Sequence, residues 1–269
     1  MLSEKLALLG AGLYADIPGE ITLKPFPTST QLDYVSAEDF EQNMLDTILP
    51  ACIEEPINCH KLLAIDFQWI CRCLRFLNFG PYFTTNMIVC DKCGAIRGEY
   101  QVDLRGVDCK PLPAGFTNDI VISKDDLVDS KEDIHLHLLT IQETLDLRKD
   151  KLFQKANGDI NLDLARICYS IHKIGAETDT TPVTAKLAVE KMSPADYAIF
   201  KQEVADLTDY GLRAGGHTVC PVCNSKGAAF FALADDKFFR PSVGDIRKGR
   251  NDRNLIGLKN STGSETETV

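Results

Sequence analysis

The sequence predicts an α+β protein in which a small β core, built on two Cys-x-x-Cys turns, carries a large, mainly helical insertion between them. Both Cys-x-x-Cys motifs follow an apolar, strand-like run and precede small or turn-forming residues. The segment between them contains apolar residues at helical spacing, with capping residues at the starts of the runs. Apolar residues make up 44% of the chain and charged residues 25%, which is typical of a globular protein.

Charge and hydropathy exclude several classes of protein. The 269 residues include 29 basic and 39 acidic side chains, so the net charge is −10. A general nucleic-acid binder needs a surplus of positive charge, so that class is disfavoured. No apolar run is long enough for a membrane-spanning helix, and we expect no contact with a membrane. The apolar run at 6–13 lacks the basic flank of a signal peptide, so we expect the protein to be made and used in a reducing cytoplasm.

The sequence pattern divides the chain into five segments. They are a loosely structured N-terminal arm (1–35), helices and the first cysteine turn with its β-hairpin (36–117), a mainly helical insertion (118–212), the second cysteine turn with a strand that completes the core (213–244), and a polar C-terminal tail without periodicity (245–269). We expect the insertion to pack as a cap on the strands beside the cysteine turns, because each of its helices presents one apolar stripe.

Local patterns predict the elements of the first half. A short strand is expected at 19–27, and a capping box at 36–39 predicts a helix that ends before Pro50. Asp66 is the expected N-cap of a second helix, which Gly80 ends. Residues 87–89 and 96–104 flank the first cysteine pair like the arms of a hairpin.

The second half is predicted in the same way. Strands are expected at 119–122, 134–138 and 228–233, and helices at 140–154, 162–174 and 193–210. Thr140 with Glu143 forms a capping box, and Ser193 with Pro194 is a strong helix start. On the helix at 162–174, we expect Leu164, Ile167 and Ile171 to be buried.

The two cysteine pairs carry the chemistry. Cys90 and Cys93 form the first pair, and Cys220 and Cys223 the second. Gly94 and Asn224 follow them, where a tight turn favours a residue that tolerates positive φ. Such a zinc knuckle points two thiolates towards one position, and two knuckles supply the four ligands of a closed, tetrahedral structural Zn²⁺ site.

The long separation of the pairs does not prevent a shared site. Cys93 and Cys220 lie 127 positions apart, and closing that loop costs about 4–5 kcal/mol. A structural zinc contributes about 10–16 kcal/mol in small peptides. Redox pairs, two disulfides and four buried thiols remain alternatives, as does replacement of one ligand by His217 or Cys109.

Other candidate residues have structural explanations. The six remaining cysteines lie in apolar segments, where free cysteine behaves as a small hydrophobe: Cys52, Cys59, Cys71, Cys73, Cys109 and Cys168. His135 and His137 share a strand face but lack a third ligand nearby in sequence, so we interpret them as solvated positions. Arg72 and Arg75 lie near Trp69 and are interpreted as structural. No nucleotide-binding or nucleophile motif occurs, so we expect no enzymatic activity.

The order of these motifs resembles the baseplate hub assembly proteins of contractile-tailed bacteriophages, over about residues 20–240. The resemblance rests on a strand that ends in proline, a capped helix, the run 63–70 with Leu74, Arg75 and Gly80, the pair Cys90/Cys93 before the strand at 99–104, the segment 134–143, and the pair Cys220/Cys223 before Phe238 and Phe239. The N-terminal arm and the polar C-terminal extension depart from the family pattern.

This resemblance implies a virion or assembly component without enzymatic activity. Its partners would be other baseplate and tail subunits in a hetero-oligomeric assembly, and its location the tail baseplate of the virion, with the host cytoplasm during assembly. Two alternatives remain open. One is a zinc-ribbon nucleic-acid-binding or transcription-associated module, for which the basic stretch 237–259 is the relevant feature. The other is an enzyme whose site is assembled from scattered residues.

Overall fold

The fold is a mixture of helices and small antiparallel sheets, as the sequence predicts. It comes from a computed structural model that describes residues 3–27, 40–85, 90, 92–95, 100–177, 180–212, 215–220, 222–230, 238–239 and 243–251. The helices are α1 (Phe40–Asn43), α2 (Leu49–Cys52), α3 (Ala64–Phe79), α4 (Ile141–Leu147), α5 (Leu162–Ser170), α6 (Pro182–Val189), α7 (Pro194–Thr208) and α8 (Val243–Asn251), with a π-helical stretch, Met44–Ile48, between α1 and α2.

The described strands form several separate sheets. The strands are β1 (Glu4–Ala7), β2 (Glu20–Leu23), β3 (Tyr82–Thr85), β4 (Tyr100–Asp103), β5 (Cys109–Lys110), β6 (Ile120–Ile122), β7 (Ile134–Leu136), β8 (Ile171–Ile174), β9 (Gly211–Leu212), β10 (Gly215–Val219) and β11 (Lys226–Phe230). Four pairs, β1–β2, β3–β4, β5–β9 and β10–β11, are two-stranded, and β6–β7–β8 is three-stranded. All the pairings are antiparallel.

Helix α3 is the centre of the larger hydrophobic core. Its Ile70, Cys71 and Leu74 are completely covered, and residues from β1, β2, β3 and the α1–α2 region pack around it. The helix begins at Ala64, one residue after its extended N-cap Leu63. The expectation that Asp66 is the N-cap is therefore wrong, because that carboxylate is buried inside the first turn and binds a different segment.

The segment that binds Asp66 is the N-terminal one. Residues 3–27 are held by a strand pair and by contacts with α3, so the expectation of a loosely structured arm is wrong for them. Strand β1 pairs with β2, and the alternating residues Leu6 and Leu8 enter the core around α3. Asp66 accepts hydrogen bonds from the N–H of Leu9 at 2.5 Å and of Gly10 at 3.1 Å. Asp66 accepts a third hydrogen bond from the hydroxyl of Tyr14 at 2.5 Å. The segment is ordered because its apolar face and its backbone donors both find partners on α3.

A second core lies mostly within the insertion. This core joins β6–β7–β8 to α4–α7, and Leu63 and Ile65 at the start of α3 complete it. Among the described side chains, Phe83 of β3 and Val102 of β4 belong to the other core. The insertion also reaches that core, through Ile141 and Leu145 of α4 and through Leu212. The expectation that the insertion packs on the strands beside the cysteine turns therefore stays a prediction. The boundaries of the five segments stay a prediction.

Within the insertion, some predicted elements end early. The Thr140–Glu143 capping box is confirmed, but α4 ends at Leu147. The helix expected at 162–174 ends at Ser170, because the branched residues that follow pair with β7 as strand β8. Ile167 and Ile171 are buried as predicted, and Leu164 is partly buried. Helix α6, capped by Thr181, was not predicted.

Several other expectations meet the limits of the described residues. The capping box at 36–39, the hairpin arms at 87–89 and 96–99, and residues 231–233 lie outside them. Pro50 does not end the helix there but occupies the first turn of α2, where its missing N–H costs nothing.

The start of the expected polar tail is structured. Residues up to 251 form α8, and the buried Asp245 accepts a hydrogen bond of 2.8 Å from the hydroxyl of Thr84 on β3. The expectation of a patternless tail is therefore wrong for 245–251, while 252–269 lie outside the described residues. Across the part of the chain that is described, no helix has the length and apolar character needed to cross a membrane.

Candidate metal centre

Each Cys-x-x-Cys motif folds into the same tight turn. In the first, the N–H of Cys90 donates to the carbonyl of Ala95 at 2.9 Å, and the N–H of Gly94 donates to Cys90 at 2.8 Å. The second repeats these bonds with Cys220, Ser225 and Asn224 at the same distances. Gly94 and Asn224 have φ of 68° and 54°, as the sequence predicts for this turn.

Two antiparallel strand pairs position the turns. Cys90 and Cys93 lie between β3 and β4, and the second pair lies between β10 and β11. The pairs meet crosswise, because the Sγ atoms of Cys90 and Cys223 are 3.7 Å apart and those of Cys93 and Cys220 are also 3.7 Å apart. The structure thus brings together all four cysteines that the sequence singles out.

The sulfur positions fit a tetrahedral ion. All four Sγ atoms lie within 4.8 Å of one another. Four sulfurs at 2.3 Å from one Zn²⁺ are about 3.8 Å apart in a tetrahedron, which agrees with the crosswise distances. The cluster could therefore hold a metal ion without rearrangement of its backbone turns.

Ser225 is a polar neighbour of the sulfurs that sequence reasoning missed. Its hydroxyl lies 3.0 Å from Sγ of Cys223 and 3.3 Å from Sγ of Cys90. Hydrogen bonds from its side chain and backbone lower the pKa of Cys223. A serine two positions after the last cysteine was the available signal, since donors to metal-bound thiolates commonly come from such turns.

Without a cation, the cluster disfavours having all four thiols ionised. The backbone of Ala95 lowers the pKa of Cys93, but partial desolvation and the hydrogen-bonded thiols around it raise that pKa to about 12. Thiolates packed this closely repel each other, whereas a divalent cation stabilises them together. The donor set itself therefore fits a thiophilic metal.

The alternatives for the four cysteines lose support. All ten cysteines are free, and sulfurs 3.7 Å apart are far from the bonding distance of about 2.05 Å. Strand β11 follows Cys223 where a thioredoxin-like pair would precede a helix. Cys109 lies on β5 and is not part of the cluster, and the side chain of His217 lies outside the described residues.

The other cysteines and the two arginines have structural roles, as expected. Five of the six remaining cysteines are buried in the two cores, and Cys109 is half-buried. Arg72 donates to the carbonyl of Leu104 and stacks 5.0 Å from the Trp69 ring. Arg75 donates to the carbonyls of Gly80 and Tyr82.

A second cluster of metal-ligating residues was not predicted. Asp119, His135 and His172 bring one ligand atom each to within 4.8 Å of one another. His137, which we paired with His135, instead contacts Glu143 at 3.1 Å. The interpretation of His135 as a solvated position is wrong, because its side chain is only 14% exposed and lies beside Asp119, which precedes β6, and His172 on β8.

Comparisons with known proteins give no family assignment. No family model, no curated protein and no solved structure matches this chain. The site is therefore assigned from its own geometry, and the resemblance seen in the order of motifs stays a prediction.

Proposed function

We propose that this chain is a non-enzymatic structural or assembly component of a bacteriophage contractile-tail baseplate, at or beside the hub, held by one structural Zn²⁺. The observation that carries the proposal is the crosswise cluster of four sulfurs. The order of motifs, which resembles the baseplate hub assembly proteins, supports the choice of a baseplate. In this proposal the chain is located in the tail baseplate and passes through the host cytoplasm during assembly.

The donor set favours zinc in a structural role. Four thiolates fill a tetrahedron and leave no position for a substrate, whereas catalytic zinc sites keep one position open. Thiolates select soft or borderline ions, and Zn²⁺ has no redox chemistry of its own. The two hairpins and the ion then form a zinc-ribbon-like unit, with the insertion between its halves.

The position of the cluster explains why a scaffold protein would need it. The cysteine pairs are more than 120 positions apart and belong to separate two-stranded sheets. Small sheets of this kind are marginal alone. A metal that bridges them fixes the relative positions of β3–β4 and β10–β11, which a rigid adaptor between subunits requires.

Exposed apolar side chains support contacts with protein partners. Val222 lies between the cysteines of the second pair and is 70% exposed. Val183 and Leu187 are both 53% exposed and lie four positions apart on α6, so they share one face of that helix. Other baseplate subunits would cover these residues in a hetero-oligomeric assembly.

The test is isolation of the tagged chain from infected cells, followed by quantitative mass spectrometry. We expect tail and baseplate subunits in fixed ratio to the wild-type chain and to the control Cys109→Ser. The double variant Cys93→Ser/Cys223→Ser should lose them, because its hairpins are no longer joined. Absence of tail proteins from the wild-type preparation would overturn the baseplate assignment. Recovery of nucleic acid with steep salt dependence would instead favour the nucleic-acid-binding module.

A further inference from the structure

The three-stranded sheet β6–β7–β8 carries a polar cluster on the face opposite the second core. Oδ1 of Asp119 lies 2.7 Å from Nδ1 of His135 and 3.0 Å from Nε2 of His172. The two imidazole rings are 5.9 Å apart between centroids and nearly perpendicular. Two imidazole nitrogens and one carboxylate oxygen thus converge from three neighbouring segments.

A β-bulge places His172 in this cluster. His135 is opposite Lys173, but Leu136 is opposite Ile171, so His172 is the extra residue on β8. In a regular register His172 would be opposite the buried Leu136 and would point into the core. Bulges redirect single side chains in this way and are frequent beside functional sites.

We propose that Asp119, His135 and His172 form a second site, for a divalent transition-metal ion such as Zn²⁺, Co²⁺ or Ni²⁺. Imidazole and carboxylate together suit these ions, and three protein ligands leave further positions for water. Asp119 is 52% exposed at its side chain, so an ion can enter from solvent. The site shares no ligand with the four-cysteine cluster and is independent of the baseplate assignment.

The surroundings favour the ligand forms that a metal needs. The side chain of His135 is only 14% exposed, which fixes its ring against the sheet. Partial burial lowers the pKa of His172. The hydrogen bond between Asp119 and His135 lowers the pKa of Asp119. Both shifts favour the neutral ring of His172 and the ionised carboxylate of Asp119, which are the forms that bind a metal ion. Metal binding would replace the hydrogen bonds to Asp119 and move the ring protons to the opposite nitrogens.

The test is equilibrium dialysis of the untagged, full-length protein against Co²⁺, with metal analysis and absorption spectra. We expect the wild type to bind one ion more than the double variant His135→Ala/His172→Ala. This additional ion should lack the thiolate-to-cobalt charge-transfer bands that an ion in the cysteine cluster shows. The control His60→Ala removes a half-exposed histidine that pairs with Asp46 at 2.8 Å, and it should retain the additional ion.

A milder variant and a direct signal separate binding from folding. Asp119→Asn removes one charge from an exposed position, and we expect its Co²⁺ affinity to fall at least tenfold with an unchanged circular dichroism spectrum. In the wild type, paramagnetic shifts should appear on the ring protons of His135 and His172. Equal metal content in wild type and double variant, or unshifted ring protons at saturation, would overturn the proposal.

Discussion

Replacement of Asp66 by alanine should undock the N-terminal segment from α3. Its carboxylate is fully buried and accepts hydrogen bonds from Leu9, Gly10 and Tyr14. The hydroxyl of Tyr14 in turn accepts a bond from the N–H of Leu63 at 2.9 Å, so the network also reaches the N-cap of α3. The backbone at Gly10 lies very close to the carboxylate of Asp66, since a Cβ added at Gly10 would be 2.8 Å from its Oδ2.

The magnitude follows from the three donors that lose their acceptor. A hydrogen bond to a charged group contributes about 1.5–3 kcal/mol. Burial of the carboxylate offsets part of the sum, as shown by the raised pKa of Asp66, which desolvation dominates. Each donor left without an acceptor costs about 1–3 kcal/mol, so after this offset we expect Asp66→Ala to lower the free energy of unfolding by about 3 kcal/mol.

Urea unfolding followed by tryptophan fluorescence measures this loss directly. Trp69 is the single tryptophan of the chain, and its indole N–H donates to the carbonyl of Ala7 at 3.2 Å, so its emission reports docking of β1. Asp163→Ala is the control, because Asp163 forms an exposed pair with Lys201 that is worth at most about 1 kcal/mol. If Asp66→Ala loses no more stability than this control and keeps the wild-type emission, the carboxylate does not hold the segment.

Two further predictions concern pH and the cysteine turns. Backbone N–H groups of Val128 and Ser130 donate to the carboxylate of Asp196 and hold its pKa below the usual value of 3.8. The ionised carboxylate therefore stabilises the fold above pH 3.8, and this stabilisation is lost as the pH falls through the lower pKa of the folded state. Urea titrations across that range should show a smaller pH dependence for Asp196→Asn than for wild type, and equal slopes would refute this. Gly94→Ala should cost about 1–2 kcal/mol in thermal unfolding because of its positive φ, whereas Asn224→Gly should be nearly neutral; the reverse order would contradict the turn geometry.

The sequence predicted best what depends on neighbouring residues. Each cysteine turn is set by six consecutive positions, and the helix start at Thr140 by a four-residue motif, so both could be predicted from local patterns. That the two cysteine pairs share one cluster could also be predicted, because two Cys-x-x-Cys turns together supply the four ligands of one tetrahedral site.

The sequence predicted poorly what depends on tertiary contacts. The apolar spacing of 162–174 is typical of a helix, but Ile171–Ile174 form strand β8 because they pair with β7. The bulge at His172 and the position of Asp119 just before β6 cannot be predicted from spacing, since the three residues of the cluster are up to 53 positions apart. Asp66 is a residue type that is common at N-caps, but the groups that donate hydrogen bonds to it lie more than 50 positions away.

Determination of the metal bound by the four cysteines tests the central claim most directly. Elemental analysis and X-ray absorption should be applied to the untagged protein in the His135→Ala/His172→Ala background, which removes the second cluster found among the described residues and keeps the cysteine cluster. We predict one zinc per chain with four sulfur neighbours at about 2.3 Å, and its absence from Cys93→Ser/Cys223→Ser in the same background. A folded protein without zinc, or zinc with nitrogen or oxygen neighbours in place of sulfur, would contradict the account.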